Sequence, residues 1–206
     1  MVTNTQARID IRAIGPRDLV AAARVLTDAF MTAATWEAVG PKSMRHRRVA
    51  LLALYLADIV IGLLRRGIVL GAFRGDRLEG VLIAFPDGER LVPWWGWLLR
   101  SVACLVAGPR ALVRALRLVA GLDAMHPKEP HVFYSILGRR ADAVGVGYAL
   151  SRAALARGDE LDRPGYVEVT ADAELVAMNE LLGWTKLDQH VLPTGRVITT
   201  MWRDRP

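Results

Sequence analysis

Residues 131–148 read H-V-F-Y-S-I-L-G-R-R-A-D-A-V-G-V-G-Y. The first half, from His131 to Gly138, is aromatic, β-branched and apolar, the composition of a strand. Arg139, Arg140 and Asp142 mark a polar loop, and Gly145-Val146-Gly147 opens an Ala- and Leu-rich helix that runs to about Arg157. A strand passing through Gly-x-Gly into a helix is a phosphate-binding geometry: glycine lets the backbone approach a ligand, and the free N–H groups of a helix start face an anion. Two glycines at this spacing are equally compatible with a bare helix start, so the order of the surrounding elements has to decide.

Upstream, residues 8–13 (R-I-D-I-R-A) alternate polar and apolar and read as a half-buried strand. Pro16 opens a helix with Leu19, Ala22, Ala23, Leu26 and Phe30 at helical spacing. A loop around Gly40-Pro41 follows, then Ser43 as N-cap of a long helix that ends at Gly67. Residues 68–73 and 78–85 are β-rich runs on either side of Gly75-Asp76, a hairpin signal. Residues 90–124 read as an insertion of two helices. Trp94, Trp95 and Trp97 begin the first, which stops at Gly108-Pro109; the second carries Arg110, Arg114 and Arg117 on one face and Leu112, Leu116 and Val119 on another.

Downstream, Pro164-Gly165 introduces a strand over residues 166–170. Asp172 caps a helix through Leu182 that Gly183 ends, and residues 184–191 and 197–202 are two strands joined at Pro193-Thr194-Gly195. The order is β-α-α-β-β-(α-α)-β-α-β-α-β-β, in one domain spanning residues 1–206.

This order, with the Gly-x-Gly loop after the fourth strand, resembles the GNAT superfamily of CoA-dependent N-acetyltransferases. The segment Glu180-Leu181-Leu182-Gly183-Trp184 is similar to the family's aromatic-Glu-x-Leu-Gly-Phe, and Met201-Trp202-Arg203 to its last strand. His126-Pro127-Lys128-Glu129-Pro130-His131 resembles a subgroup common in actinobacteria and fungi. The resemblance covers about residues 8–203. It implies an α/β fold with a mixed, mostly antiparallel sheet of six to seven strands flanked by helices and the two-helix insertion at about 90–124. It also implies acetyl-CoA as co-substrate, no metal, and direct transfer of the acetyl group to a small-molecule amine.

What the resemblance implies for single residues is mixed. In the family, backbone amides of the Gln/Arg-x-x-Gly-x-Gly/Ala loop hold the pyrophosphate; the matching residues are Gly145, Val146, Gly147 and Tyr148, the last with a side chain expected in the core. Asp142 stands where the family has Gln or Arg, and an acid repels phosphate. Arg139 and Arg140 either supply the missing charge or form a solvated pair. A backbone N–H within residues 134–137 serves the thioester carbonyl, so Ile136 and Leu137 join the cofactor side. Tyr134 and Ser135 are catalytic candidates that should face opposite sides of the strand, leaving one for the cleft. Asn179 stands where many members place the tyrosine that protonates the leaving thiolate. Asn has no proton to give but can hydrogen-bond, so another acid or solvent acts, or catalysis is lost.

For the base, Glu37, in the loop between the first helices, is the family-like choice; its other reading is a solvated glutamate. Glu168 and Thr170 are alternatives that could order a water relay. Trp94, Trp95, Trp97 and Met125 either line an apolar acceptor pocket or pack on the sheet. His131 is a weak candidate base, and no histidine pair has a zinc spacing such as H-x-x-x-H.

Composition narrows the partners. Net charge is +6, and all but three of the 27 basic residues are arginines. Arginine is spread along the chain without a basic tract, so a nucleic-acid partner is not expected. Neither is a membrane surface, although a tryptophan-bearing helix beside an arginine face would suit one. The single cysteine, Cys104, excludes a disulfide within the chain and fits a reducing cytoplasm, and residues 1–11 lack the pattern of a secretory signal. The apolar stretches 49–64 and 91–108 fall short of the ~20 residues a membrane span needs and hold Asp58 and Arg100, so both read as buried or amphipathic helices. Family members often dimerise, which leaves a homodimer open. The competing function is a degenerate GNAT-fold protein without catalysis, acting as a ligand-sensing or protein-interaction module.

Overall fold

Seven strands form one sheet in the computed structural model, which describes residues 8–86, 88, 94–170, 173–192 and 195–205. They are Asp10–Ala13 (β1), Ile68–Arg74 (β2), Arg77–Phe85 (β3), Val132–Arg139 (β4), Gly165–Thr170 (β5), Thr185–Val191 (β6) and Val197–Arg203 (β7). Their spatial order is β1-β2-β3-β4-β5-β7-β6. Neighbours are antiparallel except β4 and β5, which run parallel. The helices are Leu19–Phe30 (α1), Ala34–Val39 (α2), Met44–Leu64 (α3), Trp94–Ala107 (α4), Pro109–Met125 (α5), Val146–Asp159 (α6) and Ala173–Leu181 (α7).

The element order expected from the sequence is the one observed, with two changes. Pro16–Asp18 form a separate 3-10 turn before α1. The stretch read as a loop holds α2, which moves Glu37 from a loop onto a helix. Six residues are too few to display a helical period. What holds this turn and a half is packing: Trp36 donates its indole N–H to the Tyr55 hydroxyl of α3 at 3.0 Å. The expected cap Asp172, the Pro193-Thr194 pair and residues 90–93 of the insertion lie outside the described residues.

Both faces of the sheet are covered, which explains why residues 81–85 (V-L-I-A-F) are apolar without a break. Val81, Ile83 and Phe85 pack with Leu26, Leu51, Ile59 and Tyr166 under α1 and α3. Leu82 and Ala84 pack with Val132, Val146, Leu150 and Ala154 under α6.

Two irregularities shape the centre. Ile83 pairs with Ile136 and Ala84 with Tyr134, so Ser135 is the extra residue of a β-bulge. The bulge resets the alternation: Phe133 and Ile136 both lie on the α1/α3 side, Tyr134 and Leu137 both on the α6 side. Pairing of β4 with β5 stops at Tyr134 and Val167, and beyond them the strands part.

The inserted helices do not lie flat on the sheet. α4 packs on α3, and α5 bridges α2 and the β6 end of the sheet. Arg114 Nη2 donates to the Gly40 carbonyl at 2.9 Å. Val39, Leu118, Leu122, Leu192 and Ile198 form a small separate core there. Among the described residues no helix is long and apolar enough to cross a membrane.

Candidate active site

The gap left by β4 and β5 is a cleft of about 320 Å³. Ser135, Ile136 and Leu137 line one side, Val167, Glu168 and Thr170 the other, with Met178 and Asn179 of α7 closing it. Because β5 has left, the edge of β4 beyond Tyr134 is not consumed by sheet pairing, and its main-chain groups are available to an occupant. Tyr134 and Ser135 both line the cleft, which corrects the expectation that only one could; the cleft opens between the parted strands, so successive residues of β4 and β5 reach it.

Tyr134 turns its hydroxyl toward α6. The oxygen rests directly over Gly158, near the Asp159–Arg203 ion pair, whose closest approach is 2.5 Å. Burial, with a smaller push from the Asp159 charge, holds the phenol well above its ordinary pKa. Gly158→Ala would place a methyl on that oxygen and should cost about 1–3 kcal/mol of stability. Adding Tyr134→Phe should restore part of the loss in thermal denaturation, because it removes the nearest obstacle and leaves the ring carbon 3.3 Å from the added Cβ; no recovery would mean that the ring itself blocks the methyl.

Asn179 is buried and donates from Nδ2 to the Leu175 carbonyl one turn earlier at 2.8 Å, so one of its two amide N–H groups is bonded to its own helix. Glu168 accepts from the Tyr166 hydroxyl at 3.1 Å. Glu37 is exposed on α2 and lines neither this cleft nor the neighbouring cavity. His131 is buried, bonded through Nδ1 to the Glu129 carbonyl at 2.7 Å and away from the cleft lining. Desolvation lowers its pKa.

The loop from β4 to α6 lies at the end of the same strand. Gly145 has φ +78°, a left-handed conformation that a side chain would strain, and it stands as the N-cap of α6. The N–H groups of Val146, Gly147 and Tyr148 form the first turn, which has no intrahelical acceptor. At Gly147 nothing lies closer to the position of an added Cβ than 3.7 Å; the nearest atoms belong to Arg139 and Leu137. The Tyr148 side chain is 45% exposed, not in the core as expected.

Arginines surround the loop. Arg139 Nη1 donates to the carbonyls of Arg140 at 3.0 Å and Ala141 at 3.1 Å. Arg74 Nη2 donates to Val144 O at 2.8 Å. Arg140 turns away and donates from Nε to Leu78 O at 3.0 Å. The charge of Asp142 is met by Arg77 at 3.0 Å, and that hydrogen bond lowers the Asp142 pKa. The acid of this loop is thus paired with a residue of β3, also 3.4 Å from Glu79, that the sequence offered no reason to pair with it.

Asp58 and Arg100 also escaped the reading of the sequence as site residues. Asp58 lines both the cleft and a second cavity and pairs with Arg100 at 2.6 Å. Burial raises its pKa and Arg100 opposes the rise. A lone acid inside an apolar helical run was the available signal, since a buried charge requires a partner.

A seven-stranded sheet whose one parallel pair parts at a bulge, beside a helix opened by a left-handed glycine, is the fold of the GNAT N-acetyltransferases. No family model and no curated protein matches the sequence. Solved structures do match. A structure of histone acetyltransferase HPA2 and related acetyltransferase from Corynebacterium glutamicum is 20% identical over 96% of this chain and 97% of that one, with a TM-score of 0.71. The yncA protein from Salmonella typhimurium, whose structure holds its cofactor acetyl-CoA, is 13% identical over 96% of this chain and 94% of that one, with a TM-score of 0.60. The C-terminal condensation domain of Ebony, in complex with beta-alanyl-dopamine, is 10% identical over 96% of this chain and 99% of that one, with a TM-score of 0.64.

Proposed function

We propose that this chain is an acyl-CoA-dependent N-acyltransferase that moves an acetyl group from acetyl-CoA directly to a small-molecule amine. The observation that carries the reading is the parting of β4 from β5 at the Ser135 bulge, in line with the open first turn of α6. The fit is favourable on three counts: a main chain left unpaired on its β5 side along residues 135–137, room at Gly147, and Arg77 beside Asp142. The acetyl-CoA-bound neighbour and the Ebony domain with its amide agree with it.

Acetyl-CoA would supply an activated acyl carbon and a thiolate leaving group. Backbone N–H groups of Val146, Gly147 and Tyr148 would hold its pyrophosphate, with Arg139 shaping the loop. An N–H from residues 135–137 would polarise the thioester carbonyl, with Ile136 and Leu137 walling the cofactor. Glu168 is the best-placed base, because it lines the cleft where Glu37 does not. Ser135 and Tyr134 shape the floor. With Asn179 bonded to Leu175, no tyrosine fills the thiolate-protonating role, and solvent entering the cleft takes it.

The test is thermal stability with acetyl-CoA. Ligand at a hundredfold over its Kd should stabilise the fold by about 2.7 kcal/mol. No shift at millimolar ligand overturns the reading. Binding without turnover on any amine would favour instead a non-catalytic GNAT-fold module, the reading that the Asn179 amide supports.

A further inference from the structure

A second cavity, about 270 Å³, lies between α3 and the inserted helices. Short side chains create it: Ala50 of α3, Ala103 and Ala107 of α4, and Ala111 and Ala115 of α5 all face it. Trp97 closes one side. Of the other side chains expected there, Trp95 packs into the main core, Met125 into the small one, and Trp94 is 77% exposed. The cavity is not separate from the acyl cleft, because Trp36, Leu54 and Asp58 line both.

The shared wall carries one acid. Asp58 is 5% exposed, and Arg100 meets it through Nε at 2.7 Å and Nη2 at 2.6 Å, both on Oδ1. Among the described residues Oδ2 has no hydrogen-bond donor. A carboxylate has about four lone-pair sites, so Oδ2 can take a second cation while Arg100 stays in place. An apolar space with a few converging polar groups is how a ligand site is built. A purely apolar occupant, such as an acyl chain, would gain nothing from a buried carboxylate and would desolvate it. Arg47 also lines the cavity, but its guanidinium is turned to the Pro41 and Met31 carbonyls, each at 3.1 Å, so the group left open to an occupant is Asp58 Oδ2, and an ammonium with an apolar body satisfies both it and the apolar walls.

We propose that this cavity holds the hydrophobic body of the acceptor and that Asp58 Oδ2 receives its ammonium, which makes the acceptor class primary amines carrying an alkyl chain or an aryl ring. The proposal rests on the acyltransferase reading, because the ammonium at Asp58 lies at the junction with the cleft where the acyl group would be presented.

The test is calorimetric titration of the full-length chain with ethylamine, n-hexylamine, 2-phenylethylamine and n-hexanol, and separately with acetyl-CoA and octanoyl-CoA. Hexylamine and phenylethylamine should bind at least about tenfold tighter than ethylamine from the added apolar burial, and hexylamine tighter than hexanol. Ala111→Leu, which fills the cavity, should abolish this preference and leave acetyl-CoA affinity unchanged. Asp58→Asn should weaken both amines toward the alcohol; if that variant does not fold, the hexylamine–hexanol comparison reads the same charge.

Equal affinity for ethylamine and hexylamine, or an unaltered preference in Ala111→Leu, overturns the proposal. So does octanoyl-CoA binding tighter than acetyl-CoA with a gain that Ala111→Leu removes, which would assign the cavity to the acyl chain. Amine binding with no acetyl-CoA binding sinks the acyltransferase reading and leaves the pocket standing; acetyl-CoA binding without amine binding does the reverse.

Discussion

Gly147→Asp should fold as well as the parent and bind acetyl-CoA at least about a hundredfold more weakly. The two effects have opposite causes at one position. An acid in the first turn of α6 faces the positive end of the helix dipole and stabilises it by about 0.3–1 kcal/mol, and replacing glycine within a helix adds a few tenths of a kcal/mol. The position is buried, but the new Cβ meets nothing closer than 3.7 Å, and the nearest atoms belong to the Arg139 side chain, which can move to pair with the carboxylate. The same carboxylate then occupies the anion site and repels the pyrophosphate. Thermal denaturation and calorimetry read the two halves separately. Gly147→Asn, of the same shape without the charge, should lose much less affinity. Unchanged acetyl-CoA binding in Gly147→Asp would mean that the cofactor phosphates do not sit at α6.

Arg100→Met should lower stability by about 3 kcal/mol at pH 7, since it leaves the buried Asp58 carboxyl without its guanidinium. For a chain of this length that corresponds to a melting temperature roughly 6–12 °C lower. The loss should depend on pH in a defined sense. Burial already raises the Asp58 pKa above its unfolded value, so the folded state holds the proton more tightly and stability from this group falls as pH rises. Arg100 opposes the rise, and its removal pushes the folded pKa further up. The deficit of the variant should therefore be small below about pH 3, where Asp58 is neutral in folded and unfolded chains alike, and should grow as pH rises through the parent's folded pKa. A deficit that is constant with pH would assign the effect of Arg100 to the packing of its stem.

Much of the architecture was legible in the order of residues because its signals are local. Gly75-Asp76 between two β-rich runs, Ser43 before a long helix and Gly145 at a helix start each act within a few residues, and each appears where expected. Residues 135–137 and 145–148 could likewise be proposed for the cofactor from one continuous stretch. Glu37 is the counter-example. A loop reading placed it near the cleft, whereas a six-residue helix held by the Trp36–Tyr55 hydrogen bond leaves it exposed.

What stayed hidden is pairwise and distant. Arg100 meets Asp58 across 42 residues and Arg77 meets Asp142 across 65. Either acid alone looks like a defect, one in an apolar helix and the other in the loop before α6. Together with their arginines they become a charge on a shared cavity wall and a paired acid in that loop. The sequence by itself determined the strands, the helices, their order and the glycine that turns the chain into α6, because propensity, capping and backbone freedom belong to single residues and near neighbours. Only the tertiary structure decided where β4 leaves β5, that Ser135 bulges, and that the inserted helices stand off α3 far enough to leave a cavity, because strand register, ion-pair partners and helix separation follow from contacts between elements that no local pattern encodes.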